Sequence, residues 1–199
     1  MSDFRMEKIS RRSFLKRSGG IVVGFSLLPS VMAQVQAPSL PGSLQTNRML
    51  DGWLRINADG RVTVFTGKVE LGQGILTALA QIAADELDVN YDRIDIISAD
   101  TSRSPNEGMT AGSQSVEQSG TALHYAAAEA REILLQLAAA RLGVATEALS
   151  VSDGTVIAGS ARTTYWELAQ NANFKREATA RAKPRSEEHT SELQSHSFI

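Results

Sequence analysis

Thirteen consecutive residues, VELGQGILTALAQ from Val69 to Gln81, constrain this chain more than any other stretch. An apolar, strand-like run meets Gly72-Gln73-Gly74, and a helical pattern starts at the next residue. Glycine tolerates the backbone that so abrupt a corner requires. From Ile75 to Leu87, apolar side chains at 76, 79, 83 and 87 form one helical stripe, which Ile75 and Ile82 widen. The fold is therefore committed to strand and helix together.

The remaining elements follow from the same patterns. Trp53 to Asn57 and Arg61 to Thr66 alternate on either side of Asp59-Gly60, which predicts a β-hairpin. Arg93 to Ala99 is β-branched and short, a further strand. Asp100 to Ser115, DTSRSPNEGMTAGSQS, has no period, and a loop of that length within a compact domain is functional or disordered. It runs into a helix predicted over 116–142. Leu123, Ala127, Ala130, Leu134 and Leu137 share one face of that helix, and Gly143 stands where a C-terminal cap belongs. Ser115 and Gln118 have the spacing of a capping box. Leu149 to Ser152 and Thr155 to Ile157 flank Asp153-Gly154 as a second hairpin, and Thr163 or Thr164 caps a last helix, YWELAQNA. These elements predict an α+β fold with a mixed sheet, hairpins and two long helices.

Both ends of the chain stand apart from this pattern. Ser10-Arg11-Arg12-Ser13-Phe14-Leu15-Lys16 matches the twin-arginine export motif. A mild apolar run follows, too short to span a bilayer, and Val31-Met32-Ala33 offers a cleavage site. Residues 1–33 thus read as a signal that exports an already folded passenger to the periplasm, soluble there or held at the membrane. Residues 185–196, RSEEHTSELQSH, carry no periodicity and resemble the translation of a DNA-sequencing adapter. On that reading the natural frame ends near Pro184 and the chain is the N-terminal piece of a longer protein. The expected organisation is a signal over 1–33, an exposed linker over 34–50, a partial domain over 51–170, the start of a following segment over 171–184, and an artefactual tail over 185–199.

Charge and cysteine content exclude several function classes. Of 20 Lys and Arg, six precede Gln34 and one is Arg185; of 22 Asp and Glu, two precede Gln34 and three follow Pro184. Thirteen basic residues then face 17 acidic ones without a basic run, which gives nucleic-acid binding no electrostatic footing. With no cysteine, the chain cannot itself carry an iron–sulfur cluster, a zinc–thiolate site or a disulfide. His124 is the only histidine outside the tail, and it reads as a packed or surface residue.

Two glycine- and serine-rich loops each deliver the start of a helix: Gly72-Gln73-Gly74, and Thr110-Ala111-Gly112-Ser113-Gln114-Ser115. Helix N-termini leave N–H groups unpaired and partially positive, so both loops can cradle an anion. Each can equally serve as a plain helix cap. No dinucleotide or P-loop fingerprint is present, and no nucleophile–base pair or cluster of metal ligands stands nearby. Glu70, beside the first corner, is either an acid or a solvated strand-end residue.

DGRVTVFTGKVELGQGILTALAQIAADELDV, followed by DTSRSPNEGMTAGSQSVEQSGTALHYAAAEAR, resembles the molybdenum-binding subunit of the xanthine dehydrogenase/aldehyde oxidase family. Within it the chain looks like the exported branch typified by the isoquinoline 1-oxidoreductase β subunit. The resemblance, which runs from Asp51 to Leu168, implies a molybdopterin cofactor, in this branch the cytosine dinucleotide form. Gly72, Gln73 and Gly74 would meet the pterin, and Ala111, Gly112, Ser113, Gln114 and Ser115 would contact the cofactor through N–H groups and hydroxyls. No protein side chain would bind the metal. The implied reaction hydroxylates an aldehyde or an N-heterocycle with water. Electrons would pass to a small [2Fe-2S] partner subunit and on to an acceptor such as a cytochrome c. The family's general-base glutamate falls beyond Pro184, so no catalytic residue is assigned here, and the 199 residues alone are expected neither to retain molybdenum nor to turn over. The alternative is an exported, non-enzymatic cofactor-binding or maturation module.

Overall fold

In the computed structural model, which describes residues 39–185, the first hairpin forms about Asp59-Gly60 as the turn predicts. Strand β1 (Leu54–Ile56) pairs antiparallel with β2 (Val62–Thr66), setting Leu54 against Val64 and Ile56 against Val62. Every residue of β2 is buried, as befits a central strand. Its other edge takes β3 (Ile94–Ser98) in parallel, from Val62 opposite Ile94 to Thr66 opposite Ser98. Parallel neighbours cannot be joined by a tight turn, and helix α1 (Ile75–Leu87) makes the crossover. Because β2 and β3 end side by side, the chain leaves both strands at the same edge. That pairing places the site.

Helix α1 buries Ile75, Leu79, Ala83 and Leu87, while Leu76 and Ile82 from the expected stripe are only partly covered. It packs against α2 (Thr121–Leu142), whose buried face is Ala122, Leu123, Ala126, Ala127, Ala130, Leu134 and Ala138. Ala138 takes the place expected of Leu137, which is half-buried. Gly143 ends the helix in the left-handed conformation, its N–H on the Ala139 carbonyl at 2.9 Å. The start differs from expectation. Ser115–Gly120 forms a π-helical turn, and neither Ser115 nor Gln118 makes a capping hydrogen bond. A wider turn stretches the three-residue spacing on which a capping box depends.

The strands divide between two sheets rather than one. β4 (Ser150–Ser152), β5 (Thr155–Ala158) and a strand the alternation did not single out, β6 (Ala161–Thr164), form a separate antiparallel sheet. Asp153 at its first turn accepts both Arg93 guanidinium bonds at 2.7 Å, tying it to the first sheet. Thr164 caps the short helix α3 (Tyr165–Leu168), its hydroxyl accepting from Glu167 N at 3.2 Å.

Two boundaries also need correction. Residues 39–50 are no exposed linker, since Leu40, Leu44 and Leu50 are buried in the core. Prolines and polar neighbours dilute the apolar spacing there, which hides the packing in the sequence. Residues 171–184 likewise do not start a separate segment. The Leu50 and Asp51 N–H groups bond to the Arg176 and Phe174 carbonyls, and Ala178 N bonds to Arg48 O at 2.7 Å. Glu129, buried on α2, anchors this strap by accepting from Thr179 N and Ala180 N at 2.7 and 3.1 Å.

Candidate functional site

Beyond the ends of β2 and β3, residues 66–69 and 105–110 are zipped together, and this brings the two glycine-rich loops to one place. The Lys68 ammonium, on a side chain only 1% exposed, donates to the carbonyls of Glu107 and Met109 at 2.8 Å each. In return the Glu107 carboxylate accepts from Thr66 Oγ1 at 2.7 Å and Gly67 N at 2.6 Å. Val69 N donates to Thr110 Oγ1 at 2.9 Å. Asn47, from the N-terminal arm, clasps the Asn106 backbone through both amide atoms. A charged donor on main-chain carbonyls makes bonds stronger than neutral ones, and it suits a segment with no regular structure to hold it. None of Lys68, Glu107 or Asn47 stands out in the sequence, because these partners, mostly backbone atoms, lie about forty to sixty positions away. The one available signal is the lysine itself, set between a buried strand and a glycine corner.

The first corner forms as its glycines allow, with φ of 94° at Gly72 and 76° at Gly74. Its N–H groups, however, are not bare. Glu70 accepts from Gly72 N at 2.8 Å and Gly74 N at 2.9 Å with one oxygen, and from Leu76 N at 3.2 Å with the other. Those bonds, chiefly from Gly74 and then Leu76, hold its carboxyl below the ordinary range. Gln73 folds back, accepting from Leu71 N at 2.6 Å and donating to Val69 O at 2.9 Å. Glu70 is therefore exposed to solvent, as expected, but its carboxylate is occupied by N–H groups rather than poised as an acid: it caps α1.

The second loop differs. Among the described residues no acceptor meets the N–H groups of Ala111, Gly112 or Ser113, and Gly112 has open space where a Cβ would project. Both loops border one cavity of about 610 Å³, lined by Gln73, Gly74, Ala111, Gly112, Ser113 and Ser115 with Leu71, Ile75, Ala78, Thr110 and Val116. Six of the eight residues singled out in the sequence thus share a cavity. Gln114 faces a second, more polar cavity of about 560 Å³ beside Lys68, Asn47 and Gln118, and Gly72 borders neither. The export residues Arg11, Arg12, Phe14 and Leu15 lie outside the described residues. No group of three His, Cys, Asp or Glu among the described residues is placed to hold a metal ion. His124 is packed, its Nε2 at 2.9 Å from the buried Glu86 carboxylate, which also accepts from Arg185 N. The chemistry on offer is that of free N–H groups, hydroxyls and a carboxamide around an open, largely apolar floor. Such a surface suits a ligand with anionic and ring-like parts.

The approach to the second loop is held by a carboxylate turn that pH can test. Asp100 accepts from the Ser102 hydroxyl at 2.6 Å, from Arg103 Nε at 2.6 Å and from Ser102 N at 3.0 Å, and these bonds lower its pKa to about 2. A depressed carboxyl contributes stability above its unfolded value that is lost as pH falls through the folded one. The turn at 100–104 should therefore stay formed at pH 4 and loosen only as pH approaches about 2. Following the Asp100 carboxyl carbon by NMR checks this. Ser102→Ala should move the midpoint upward, and an Asp100 titrating in the ordinary range in the wild type would contradict the geometry.

Comparison with known proteins gives these loops a context. A family model described as a molybdopterin cofactor-binding domain matches residues 2–197. The chain is 40% identical over 169 residues to a nicotinate dehydrogenase subunit of Pseudomonas putida, a match covering 83% of this chain and 14% of that protein. It is 34% identical over 172 residues to the β subunit of isoquinoline 1-oxidoreductase from Brevundimonas diminuta, covering 81% of this chain and 22% of that one. Among solved structures, quinoline 2-oxidoreductase from Pseudomonas putida 86 superposes with a TM-score of 0.51 at 31% identity, over 58% of this chain and 15% of that chain. The chain spans less than a quarter of each of these proteins.

Proposed function

The chain belongs to the molybdopterin cofactor-binding domain family, and on that premise we propose that its two glycine-rich loops hold part of a molybdopterin in the cavity between them. One observation carries the reading. The N–H groups of Ala111, Gly112 and Ser113 have no acceptor among the described residues, and these residues line a cavity together with Gln73 and Gly74. Phosphate oxygens match a row of free N–H groups, and a pterin matches a carboxamide above an apolar floor. The residues present thus fit the group. Gln73 and Gly74, with Gly72 shaping the corner, sit at the pterin; Ala111, Gly112, Ser113 and Ser115 take the phosphate side, and Gln114 the neighbouring cavity. When bound, the cofactor supplies the two-electron redox chemistry, and this chain's residues bind and orient it.

The whole protein is a molybdenum-dependent oxidoreductase that hydroxylates a ring carbon of an N-heterocycle with water. The names of the three relatives support the heterocycle: nicotinate, isoquinoline and quinoline. The cofactor takes the cytosine dinucleotide form, and electrons leave through a [2Fe-2S] subunit toward an acceptor such as a cytochrome c. Subunit designations in the relatives' names support a multi-subunit assembly. Arg11 and Arg12, with Phe14 and Leu15, direct the folded protein through the twin-arginine translocase to the periplasm, a reading supported by the motif itself.

Expressing the source locus as it is encoded tests the cofactor reading. Molybdenum by mass spectrometry and pterin by fluorescence after oxidation should each approach one per chain. Gln73→Ala removes the two hydrogen bonds that its carboxamide makes across the corner and should cut molybdenum content about tenfold, the order expected for supporting contacts around a metal group. Full metal content in that variant would sink the assignment of the corner.

A further inference from the structure

Four arginines among the described residues are half-buried: Arg61, Arg93, Arg131 and Arg185. Three of them have a carboxylate partner, Asp95, Asp153 and Asp88 in turn. Arg131, on α2, has none within 4.0 Å among the described residues, and its Nε is buried without a hydrogen-bond partner. The Tyr165 hydroxyl beside it is kept protonated by burial and so balances no charge. Taking a cation partly out of water costs free energy that a counter-charge ordinarily offsets. Here the described chain supplies none.

Arg131 lines a cavity of about 260 Å³ to which α2 contributes Gln136, the following turn Thr146, and the strap Lys183. Lys183 is exposed and likewise makes no ion pair among the described residues. The one acid on the lining, Glu132, is exposed, and its Oε1 accepts from Gln136 Nε2 at 3.0 Å. Two unpaired cations thus border one small space against a single solvated carboxylate. We infer that this cavity binds a small tetrahedral oxyanion, phosphate or sulfate. The planar Arg131 guanidinium suits two of its oxygens at once, Lys183 adds a point charge, and the Thr146 hydroxyl can donate a further bond. Two cations match a dianion better than a single carboxylate. Because Arg131 belongs to α2 and Lys183 to the strap, the bound anion fastens one to the other. No residue of this cavity lines the one proposed to hold the cofactor, so the two assignments stand or fall separately.

Inorganic phosphate, titrated into the full ¹⁵N-labelled 199-residue chain at an ionic strength held constant with chloride, tests this by NMR and thermal unfolding. The amides of Thr146, Ala182 and Lys183 should shift saturably and sulfate should compete. The thermal midpoint should rise with phosphate, as it does for any ligand that the folded state alone binds. Lys183→Gln alters an exposed side chain, so its midpoint in chloride should match wild type, while phosphate binding should weaken about tenfold. Arg131→Gln should abolish the saturable shift, and Arg131→Lys, which keeps the charge but loses the planar fork, should not restore it. If the Arg131 variants do not fold, Lys183→Gln decides. Unchanged phosphate affinity in that variant would overturn the site, as would a wild-type response that fails to saturate or that chloride alone reproduces. Acetate binding as tightly as phosphate would overturn the oxyanion assignment in favour of a carboxylate, such as an acidic side chain of another protein.

Discussion

Gly67→Ala is expected to lower the thermal midpoint by several degrees and to release the loop that forms one wall of the cavity. A Cβ at position 67 would lie 2.4 Å from the Pro105 carbonyl oxygen and 3.3 Å from Glu107 N. Both are backbone atoms, so the clash cannot be relieved by swinging a side chain aside. Overpacking of this kind costs about 1–3 kcal/mol. For a domain of this size each kcal/mol moves the midpoint by roughly 2–4 °C. Relief requires residues 105–110 to move outward, and the zipper then fails as a unit. Lys68 would lose the Glu107 and Met109 carbonyls, Glu107 would lose Thr66 and Gly67, and Val69 N would lose Thr110. Hydrogen exchange should rise across 105–115 while helix α2 keeps its protection. Unchanged exchange over 105–115 would show that this loop is not held by its seam with residues 66–69.

Trp53→Ala should have the larger effect on stability and a different signature. Trp53 is 1% exposed, within the same core as Leu50, Leu54 and Val64, and its indole N–H donates to Asn47 O at 2.7 Å. Truncating a buried tryptophan costs about 3–5 kcal/mol, through lost burial and the cavity left behind. Against a total stability of about 5–15 kcal/mol, such a loss brings the domain close to its limit. Urea unfolding followed by circular dichroism should show a large drop in midpoint, with the whole domain losing exchange protection together. Trp53→Phe should recover much of the burial and leave a deficit of about 1 kcal/mol, the net worth of one hydrogen bond. The two variants separate two kinds of dependence: Gly67 holds the site, and Trp53 holds the body that carries it. An unfolding free energy of Trp53→Ala within a few tenths of a kcal/mol of wild type would show that residues 47–53 contribute little to the core.

Local chemistry made much of this molecule legible from its residues. The Asp59-Gly60 and Asp153-Gly154 turns, helix α1, the Gly143 cap and strand β3 all lie where period and turn chemistry place them. So do the two loops, since glycine at a strand–helix corner and a long aperiodic stretch before a helix are visible without any partner. Other features were not legible, for stated reasons. Residues 39–50 reach the core through three leucines set among prolines and polar residues, and β6 is a four-residue strand without apolar alternation. The π-turn at 115–120 overrides a capping box that the residue types alone would support.

By itself, then, the sequence determined the α+β class, the two glycine-rich loops and the family resemblance that the comparisons support. Each of these depends on residues close together along the chain. Tertiary structure alone decided that the loops share one cavity. That sharing comes from the parallel pairing of β2 with β3, and from a lysine and a glutamate whose partners lie about forty residues away. It also decided that the Glu70 carboxylate takes up the Gly72, Gly74 and Leu76 N–H groups, while those of Ala111, Gly112 and Ser113 meet no acceptor among the described residues. A hydrogen bond's worth at a site depends on which donors remain unpaired after folding, and pairing between distant backbone groups leaves no trace in residue type or spacing.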